Sequence, residues 1–285
     1  MQEMKSKLII SVASGKGGTG KTTVAVGLAL SAENIQLIDC DVEEPNVHIL
    51  LRPEINEVRA VYSFVPRIME EKCNHCGRCA EFCQYNALLV FPEKVLVFPE
   101  FCHSCGLCSL VCPEQAIREE KRQIGVVKKG SAKEIDLVYG ELDISEPMSS
   151  PVIREVKKEI NREKTVIIDV PPGASCPVVE SVYGSDFALL VTEPTPFGLH
   201  DLKIAVEVLK MLKTPIGVVV NRAGIGDRKV YEYCKKEGIP IMLKIPFSKR
   251  IAELYSRGIS FVAEMEGWKE KFSRLLEEIH RSVKN

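Results

Sequence analysis

Three features are scarce in this chain of 285 residues, and each scarcity argues against a class of protein. The chain has little net charge, because 38 Lys and Arg residues are balanced by 39 Asp and Glu residues. This balance gives no sign of the positively charged surface that binds nucleic acid. No apolar run reaches the ~20 residues that span a bilayer. The first seven residues are polar rather than typical of a signal peptide. We therefore expect a cytoplasmic protein that neither binds nucleic acid nor spans a membrane.

The apolar and cysteine contents indicate what the chain can build. An apolar fraction of 45% over this length suits one large domain, alone or with a minor one. The eleven cysteines are clustered, and thiols of the cytoplasm are kept reduced. We therefore expect them to bind metal rather than to form disulfides.

A glycine loop near the start dominates the sequence. Residues 14–23 read SGKGGTGKTT, between the apolar runs 8–12 and 24–30, and match the phosphate-binding pattern between a strand and a helix. The backbone N–H groups of such a loop converge on a polyphosphate at a helix N-terminus. Lys21 is predicted to reach the β- and γ-phosphates, and Thr22 to hold Mg²⁺. The predicted nucleotide contacts here are Gly15, Lys16, Gly17, Gly18, Thr19, Gly20, Lys21, Thr22 and Thr23.

The early second lysine, Lys16, makes this loop resemble the deviant Walker A motif of the MinD/ParA family. That family includes the nitrogenase iron protein and the scaffold ATPases of iron-sulfur assembly. The resemblance implies an α/β fold, with a mostly parallel P-loop sheet and helices on both faces. It also implies ATP hydrolysis to ADP and an ATP-dependent homodimer in which Lys16 contacts the partner's nucleotide.

Three further segments match motifs of the same family. The acidic segment 39–46 resembles switch I, and its Asp41 matches the catalytic carboxylate that activates the attacking water. The apolar strand 165–168 ends in Asp169, which is predicted to bind Mg²⁺, and Gly173 resembles the switch II glycine whose amide senses the γ-phosphate. Asn221 and Arg222 end a later strand and resemble the site that recognises the base.

A second kind of motif occupies residues 69–119. Two runs of four cysteines share the spacing x2, x2, x3, and the second run is followed by proline. In such repeats three cysteines of one run and the fourth of the other ligate each 4Fe-4S cluster. The first predicted ligand set is Cys73, Cys76, Cys79 and Cys112, and the second is Cys102, Cys105, Cys108 and Cys83. The segment resembles a bacterial two-cluster ferredoxin. Zinc is the competing metal, but structural zinc favours paired C-x2-C hooks around one tetrahedron.

The two patterns divide the chain into a MinD-like ATPase domain over 1–68 and 120–285 and an inserted ferredoxin domain over 69–119. Our leading interpretation is an ATPase whose nucleotide state controls low-potential electron transfer through two clusters. The alternative is an assembly or carrier ATPase for clusters or a metallocofactor. Its known scaffolds resemble this chain, but carry a C-x-x-C near the carboxyl end that is missing here. The partner is accordingly a redox protein or an apo-acceptor, which the sequence leaves unnamed.

Some local expectations remain. The strands 124–129 and 135–142 are predicted to be joined at residues 129–131, and the insert to emerge beside the nucleotide edge because it follows switch I. Cys176 stands seven positions after Asp169, where the nitrogenase iron protein carries a cluster ligand, so both a packed thiol and a redox or metal role remain open. The carboxyl-terminal helix mixes acidic and basic residues, which favours docking on its own domain over membrane targeting.

Overall fold

The computed structural model describes residues 7–284; residues 1–6, which hold most of the polar start of the chain, and residue 285 lie outside it. The described part contains eleven strands. They are β1 (Ile9–Ala13), β2 (Ile35–Asp39), β3 (Glu54–Ile68), β4 (Leu88–Val90), β5 (Val95–Val97), β6 (Ile117–Ala132), β7 (Ile135–Leu142), β8 (Thr165–Asp169), β9 (Phe187–Thr192), β10 (Ile216–Ala223) and β11 (Ile241–Pro246).

Nine of these strands form one sheet in the order β11-β10-β9-β1-β8-β2-β7-β6-β3. The seven strands from β11 to β7 are parallel to one another. At one edge of the sheet, β6 pairs antiparallel with β7, and β3 pairs antiparallel with β6. The central strands β1, β2 and β9 are buried along their whole length, as expected for a sheet covered on both faces. The predicted mostly parallel α/β fold is confirmed.

The described part contains eleven α-helices, and those outside the cysteine segment cover both faces of the sheet. The eleven helices are α1 (Lys21–Leu30), α2 (Val47–Leu51), α3 (Arg78–Glu81), α4 (Leu107–Leu110), α5 (Ser150–Lys157), α6 (Cys176–Val182), α7 (Pro196–Met211), α8 (Lys229–Glu237), α9 (Lys249–Ser256), α10 (Phe261–Glu264) and α11 (Trp268–Lys284). One apolar core lies under α1, α10 and α11, and the other lies under α5 to α8. The carboxyl ends of the parallel strands therefore stay open as the edge where α/β sheets bind ligands.

The last helix is docked on the first of these apolar cores. Its apolar side, including Trp268, Phe272 and Ile279, is buried against the first core, and Phe272 packs on Gly27 of α1. No helix within residues 7–284 combines the length and the apolar character needed to cross a membrane.

The antiparallel pair β3 and β6 forms a long ribbon that the sequence did not predict. β3 pairs with β6 from Glu54 to Ile68, although the sequence analysis assigned no strand to this stretch. The predicted turn at residues 129–131 is wrong, because β6 continues through Ala132 and the chain turns at residues 133–134. The first half of β3 is exposed at the edge of the sheet. Its sequence therefore needs no strict alternation of apolar and polar residues, and that alternation is interrupted along the strand.

The ribbon carries the cysteine segment past the nucleotide edge of the sheet. Gly125 pairs with both Val61 and Leu142, the last residue of β7, so residues 62–68 and 117–123 project beyond that strand. At 3.3 Å per residue this overhang is about 20 Å long. The segment between the two ribbon strands emerges beside the carboxyl ends of the parallel strands, as predicted. It lies next to the outermost strands β6 and β3, however, which are separated from β1 by β8, β2 and β7. Residues 117–119, which the sequence analysis assigned to the insert, belong to β6.

Candidate functional site

The glycine loop joins β1 to α1 at the middle of the sheet. Gly20 precedes the helix with φ of 95°, and a Cβ atom there would lie 2.5 Å from the side-chain nitrogen of Asn221. Only glycine fits both conditions, so the loop can pass close to Asn221 just before the helix begins. The hydroxyl of Ser14 donates to the carbonyl oxygen of Lys16 over 2.6 Å, which fixes the other end of the loop.

The predicted magnesium ligands lie against each other. The Thr22 hydroxyl donates to Asp169 Oδ2 over 2.6 Å, while Asp169 Oδ1 is buried and has no hydrogen-bond partner among residues 7–284. A buried carboxylate oxygen left without a partner is costly unless a cation or an ordered water completes it. Burial raises the pKa of Asp169 to about 6, although Lys21 and Thr22 act in the opposite direction. These two side chains are suited to bind a magnesium ion, which would neutralise part of the negative charge of the phosphates.

Two of the predicted catalytic residues, Lys21 and Asp41, lie near Asp169. Lys21 is buried, and its ammonium is close enough to Asp41 and Asp169 to favour their ionised forms. Burial nevertheless raises the pKa of Asp41 to about 6, with Asp169 and the neighbouring Glu43 adding to the rise. A carboxyl group with such a pKa can accept a proton from water near neutral pH.

Asp39 holds the switch I loop in shape, a role that the sequence analysis missed. Its carboxylate accepts hydrogen bonds from the backbone N–H groups of Asp41, Asn46 and Val47 at 2.9 to 3.1 Å. Burial and the adjacent Asp169, its neighbour across β2 and β8, raise the pKa of Asp39 well above its usual range. Three amides from one loop converging on one carboxylate fix the position of Asp41.

Switch II is tethered to the glycine loop. The amide of Gly173, whose φ is 103°, donates to the carbonyl oxygen of Ser14 over 3.0 Å. The N–H that was predicted to sense a γ-phosphate is therefore already engaged by the loop. It must leave Ser14 before it can bind a phosphate oxygen.

The predicted base-recognition residues lie at the end of β10, beside the loop. Asn221 donates from its side-chain nitrogen to the carbonyl of Thr19 over 2.7 Å, and its side-chain oxygen accepts from the N–H of Arg222. A cleft of about 350 Å³ opens next to them and is lined also by Phe247 and Tyr255. Exposed aromatic faces and one carboxamide are suited to an adenine ring.

The cysteine segment repeats one local structure twice, 29 residues apart. Gly77 and Gly106 precede the short helices α3 and α4 with φ of 81° and 71°. The amides of Ala87 and Ala116 donate to the sulfur atoms of Cys83 and Cys112, both over 3.3 Å. The hairpin of β4 and β5 lies between the two copies. The internal repeat seen in the cysteine spacing is thus a repeat of conformation as well.

Two cavities lie in this segment, and the cysteines that line them come from both runs. One cavity is lined by Cys73, Cys76, Cys79 and Cys112. The second cavity is lined by Cys83, Cys102, Cys105 and Cys108. In residues 7–284 no three His, Cys, Asp or Glu side chains converge closely enough for a single metal ion. A cluster of four iron and four sulfide is larger than one ion, and four thiolates around each cavity fit its donor set.

The three cysteines outside the two runs differ in exposure. Cys40 and Cys234 are buried, which agrees with their interpretation as small apolar side chains. Cys176 is exposed at the first residue of α6. It lines a cleft of about 680 Å³, which His103 of the second cysteine run also lines, and it is the one cysteine among the described residues of that cleft.

Glu193 is the residue of this site that sequence reasoning missed altogether. It follows β9, and its buried carboxylate lies 2.7 Å from a guanidinium nitrogen of Arg222 and 3.7 Å from the ammonium of Lys16. A single glutamate after an apolar strand gives no motif. Only its position at the carboxyl edge of a parallel strand could have indicated a ligand-facing residue.

Comparison with known proteins agrees with this geometry. Residues 10–261 match the family described as the CobQ/CobB/MinD/ParA nucleotide binding domain. An uncharacterized protein of Methanocaldococcus jannaschii is 34% identical over 91% of this chain and 93% of its own length. An iron-sulfur cluster carrier protein of Pyrococcus abyssi is 27% identical over 92% of this chain and 81% of its own length. The septum site-determining protein MinD of Pyrococcus horikoshii, solved with Mg-ADP, has the same fold, with a TM-score of 0.58, 19% identity and 96% of each chain covered. The chain therefore belongs to the CobQ/CobB/MinD/ParA family and is a P-loop ATPase of the MinD/ParA type.

Proposed function

We propose that this ATPase assembles or carries iron-sulfur clusters and passes them to an apo-acceptor protein in the cytoplasm. The observation that carries the proposal is that one chain combines the phosphate loop with two cavities, each lined by four cysteines. The similarity to a protein named as an iron-sulfur cluster carrier supports it over nearly the full chain. Of the two functions that the sequence left open, this is the alternative rather than the leading interpretation.

The ligand assignment that we propose is crossed between the two cysteine runs. One 4Fe-4S cluster is bound by Cys73, Cys76, Cys79 and Cys112, and the other by Cys83, Cys102, Cys105 and Cys108. The N–H groups of Ala87 and Ala116 donate to the sulfurs of Cys83 and Cys112, and hydrogen bonds to the sulfurs are among the features by which proteins tune such clusters. The ferredoxin-like insert thus spans residues 69–119 in this proposal.

The proposed hydrolysis uses the residues around β1 and β8. Loop amides and Lys21 bind the phosphates, while Thr22 and Asp169 bind Mg²⁺. Asp41 takes a proton from the attacking water, the bond from the γ-phosphorus to the bridging oxygen breaks, and ADP and phosphate leave. Lys16 of each subunit stabilises the charge on the nucleotide of the other, so ATP favours a homodimer.

Electron transfer is the second candidate, and one observation favours it. The cysteines lie in a folded segment with its own small core, rather than in a single exposed C-x-x-C. Within residues 7–284 the last cysteine is Cys234, which is buried in α8. Clusters held by four cysteines in such cavities suit a resident redox centre as well as a cargo.

One anaerobic experiment distinguishes the two functions. The protein, reconstituted with iron and sulfide and then reduced, is mixed with MgATP and apo-aconitase, which regains activity only with a 4Fe-4S cluster. Recovery of activity with loss of iron from the protein would support the carrier. Retention of iron while electrons pass to an added oxidised ferredoxin only in the presence of ATP would support electron transfer instead.

Two controls make the result specific. Lys21→Ala should abolish the ATP dependence of either transfer, because nucleotide binding is lost. Cys176→Ser changes an exposed thiol outside both cavities and should leave cluster content unchanged. If neither iron nor electrons leave the wild-type protein on addition of ATP, both functions are wrong.

A further inference from the structure

The Glu193 carboxylate bridges two cations that belong to different parts of the nucleotide site. Lys16 comes from the phosphate loop, and Arg222 comes from the end of β10. The side chain of Glu193 is 7% exposed, whereas that of Lys16 is 35% exposed. An acidic side chain beside a phosphate loop opposes the binding of a polyanion, so its presence calls for a reason beyond binding nucleotide.

The two cations do not hold Glu193 equally. Arg222 lies at hydrogen-bonding distance, 2.7 Å, and its guanidinium also donates to the carbonyl of Gly18 over 3.4 Å. Lys16 lies at 3.7 Å, beyond a direct hydrogen bond. The Lys16 side chain can therefore leave while Glu193 remains paired with Arg222, and no buried charge is left without a partner.

We infer that Glu193 is a positioning residue that retains Lys16 within its own subunit until a second nucleotide-bound copy of the chain displaces the contact. This inference rests on the ATP-dependent dimer proposed above. The hydrogen bond from Ser14 to the carbonyl of Lys16 keeps the loop backbone in place, so the movement is confined to the lysine side chain. Arg222 keeps the carboxylate fixed as the return point for Lys16 after the subunits separate.

The size of the effect follows from the exposure of the pair. A partly exposed ion pair changes an equilibrium by about two- to fivefold. Each dimer must release two lysines, so the factor enters twice in the dimer dissociation constant. We expect loss of the Glu193 charge to tighten the dimer by about tenfold, because both subunits then begin with an unrestrained Lys16.

The test compares dimer dissociation constants by sedimentation velocity, with the full chain saturated with the slowly hydrolysed analogue AMPPNP. Glu193→Gln keeps an oxygen that accepts from Arg222 and removes the attraction for Lys16. Glu237→Gln is the matched control. It removes a carboxylate at the end of α8 that is paired with Lys210 of α7 at 2.7 Å, and this pair lies far from the nucleotide edge. Affinity for a fluorescent ADP is measured on each variant, to separate an effect on the dimer from a general effect on phosphate binding.

The inference is supported if Glu193→Gln dimerises about tenfold more tightly in AMPPNP, ADP affinity rises by a clearly smaller factor and Glu237→Gln behaves as the wild type. It is overturned if Glu193→Gln dimerises no more tightly than the wild type, or if ADP affinity rises by the same factor as dimerisation. A wild-type chain that stays monomeric in AMPPNP would overturn both this inference and the proposed dimer. If Glu193→Gln fails to bind ADP, Glu193→Asp replaces it, because the shorter carboxylate keeps its charge near Arg222 and draws back from Lys16.

Discussion

The amide of Gly173 donates a hydrogen bond to the carbonyl oxygen of Ser14 over 3.0 Å, and this contact ties switch II to the phosphate loop. The φ of 103° at Gly173 allows the contact, because side chains other than glycine are strained in that region. A γ-phosphate that recruits the same N–H would have to break this bond. We therefore expect the two residues to form a two-state element whose equilibrium is shifted by the nucleotide.

We expect Gly173→Ala to lower the free energy of unfolding by about 1–2 kcal/mol and to weaken the ATP-dependent dimer, while ADP affinity changes little. A Cβ atom at this position meets nothing within 4 Å, so the cost comes from the backbone. Gly184→Ala is the matched control, with φ of 82°, the same open space and a place outside the nucleotide site. Urea unfolding and sedimentation in AMPPNP measure both effects. Equal loss of the dimer in the two variants would contradict a specific role for Gly173.

Lys16→Ala and Lys21→Ala are expected to fail at different steps. Lys16 is half-buried beside Glu193 and is proposed to act on the partner's nucleotide, so its loss should slow hydrolysis by about 10³ without unfolding the domain. Lys21 is buried among acidic side chains, so Lys21→Ala should weaken nucleotide binding itself. Phosphate release and binding of a fluorescent ATP separate the two. Unchanged turnover in Lys16→Ala would remove the family mechanism.

The pH dependence of hydrolysis should report Asp41. Its pKa is raised to about 6 by burial, and a general base acts only when it is deprotonated. We therefore expect the rate to be constant above pH ~6 and to fall about tenfold per pH unit below it. Phosphate release between pH 5 and 8 with saturating MgATP tests this. Asp41→Asn should lower the plateau by about 10²–10⁴, whereas Glu43→Gln, in the same loop, should retain it. A plateau in Asp41→Asn as high as that of the wild type would exclude Asp41 as the base.

Anaerobic preparations should contain close to eight iron and eight sulfide per chain, because two cubanes bind to the two sets of four cysteines. Cys112→Ser should damage the cluster of the first run, and Cys83→Ser the cluster of the second. Electron paramagnetic resonance of each reduced variant identifies the surviving cluster, with Cys176→Ser as the control. If each variant loses the cluster of its own run, the crossed assignment is wrong.

Nucleotide and cluster states should be coupled through β7. The N–H of Leu142, at the end of that strand, donates to the carbonyl of Val42 in switch I over 2.8 Å, and His48 of α2 stacks on Tyr139 at 5.1 Å. Because β7 pairs with ribbon strand β6, a change in switch I can reach the cysteine segment. A coupling of about 1.4 kcal/mol changes ATP affinity tenfold and a one-electron potential by about 59 mV, in both directions.

Titrations of nucleotide affinity with oxidised and dithionite-reduced protein measure this coupling. His48→Ala should reduce it, because the ring contact with β7 is lost, whereas His200→Ala changes an exposed histidine of α7 and should not. Identical affinities in the two redox states, together with identical cluster potentials in ADP and ATP, would mean that the insert does not respond to the nucleotide.

The sequence alone predicted the parts of this protein that depend on local geometry. The glycine loop, the strand that ends in Asp169 and the fully buried strands of the parallel sheet are specified by residue type and by short spacing. The repeated cysteine spacing likewise predicted a repeated structure, because a positive φ at Gly77 or Gly106 and the short helix that follows are local properties. Such features need no knowledge of what lies across the molecule.

Other features were decided only by tertiary structure. The β3 and β6 ribbon arises from strands that pair across the inserted cysteine segment. No local sequence pattern therefore predicted β3 or placed the turn after β6 at residues 133–134. Asp39 meets Asp169 because two parallel strands share a register, and Glu193 meets Lys16 and Arg222 because three strand ends share one edge. Contacts of this kind depend on the register and order of strands that are far apart in the chain, and that order exists only once the sheet has assembled.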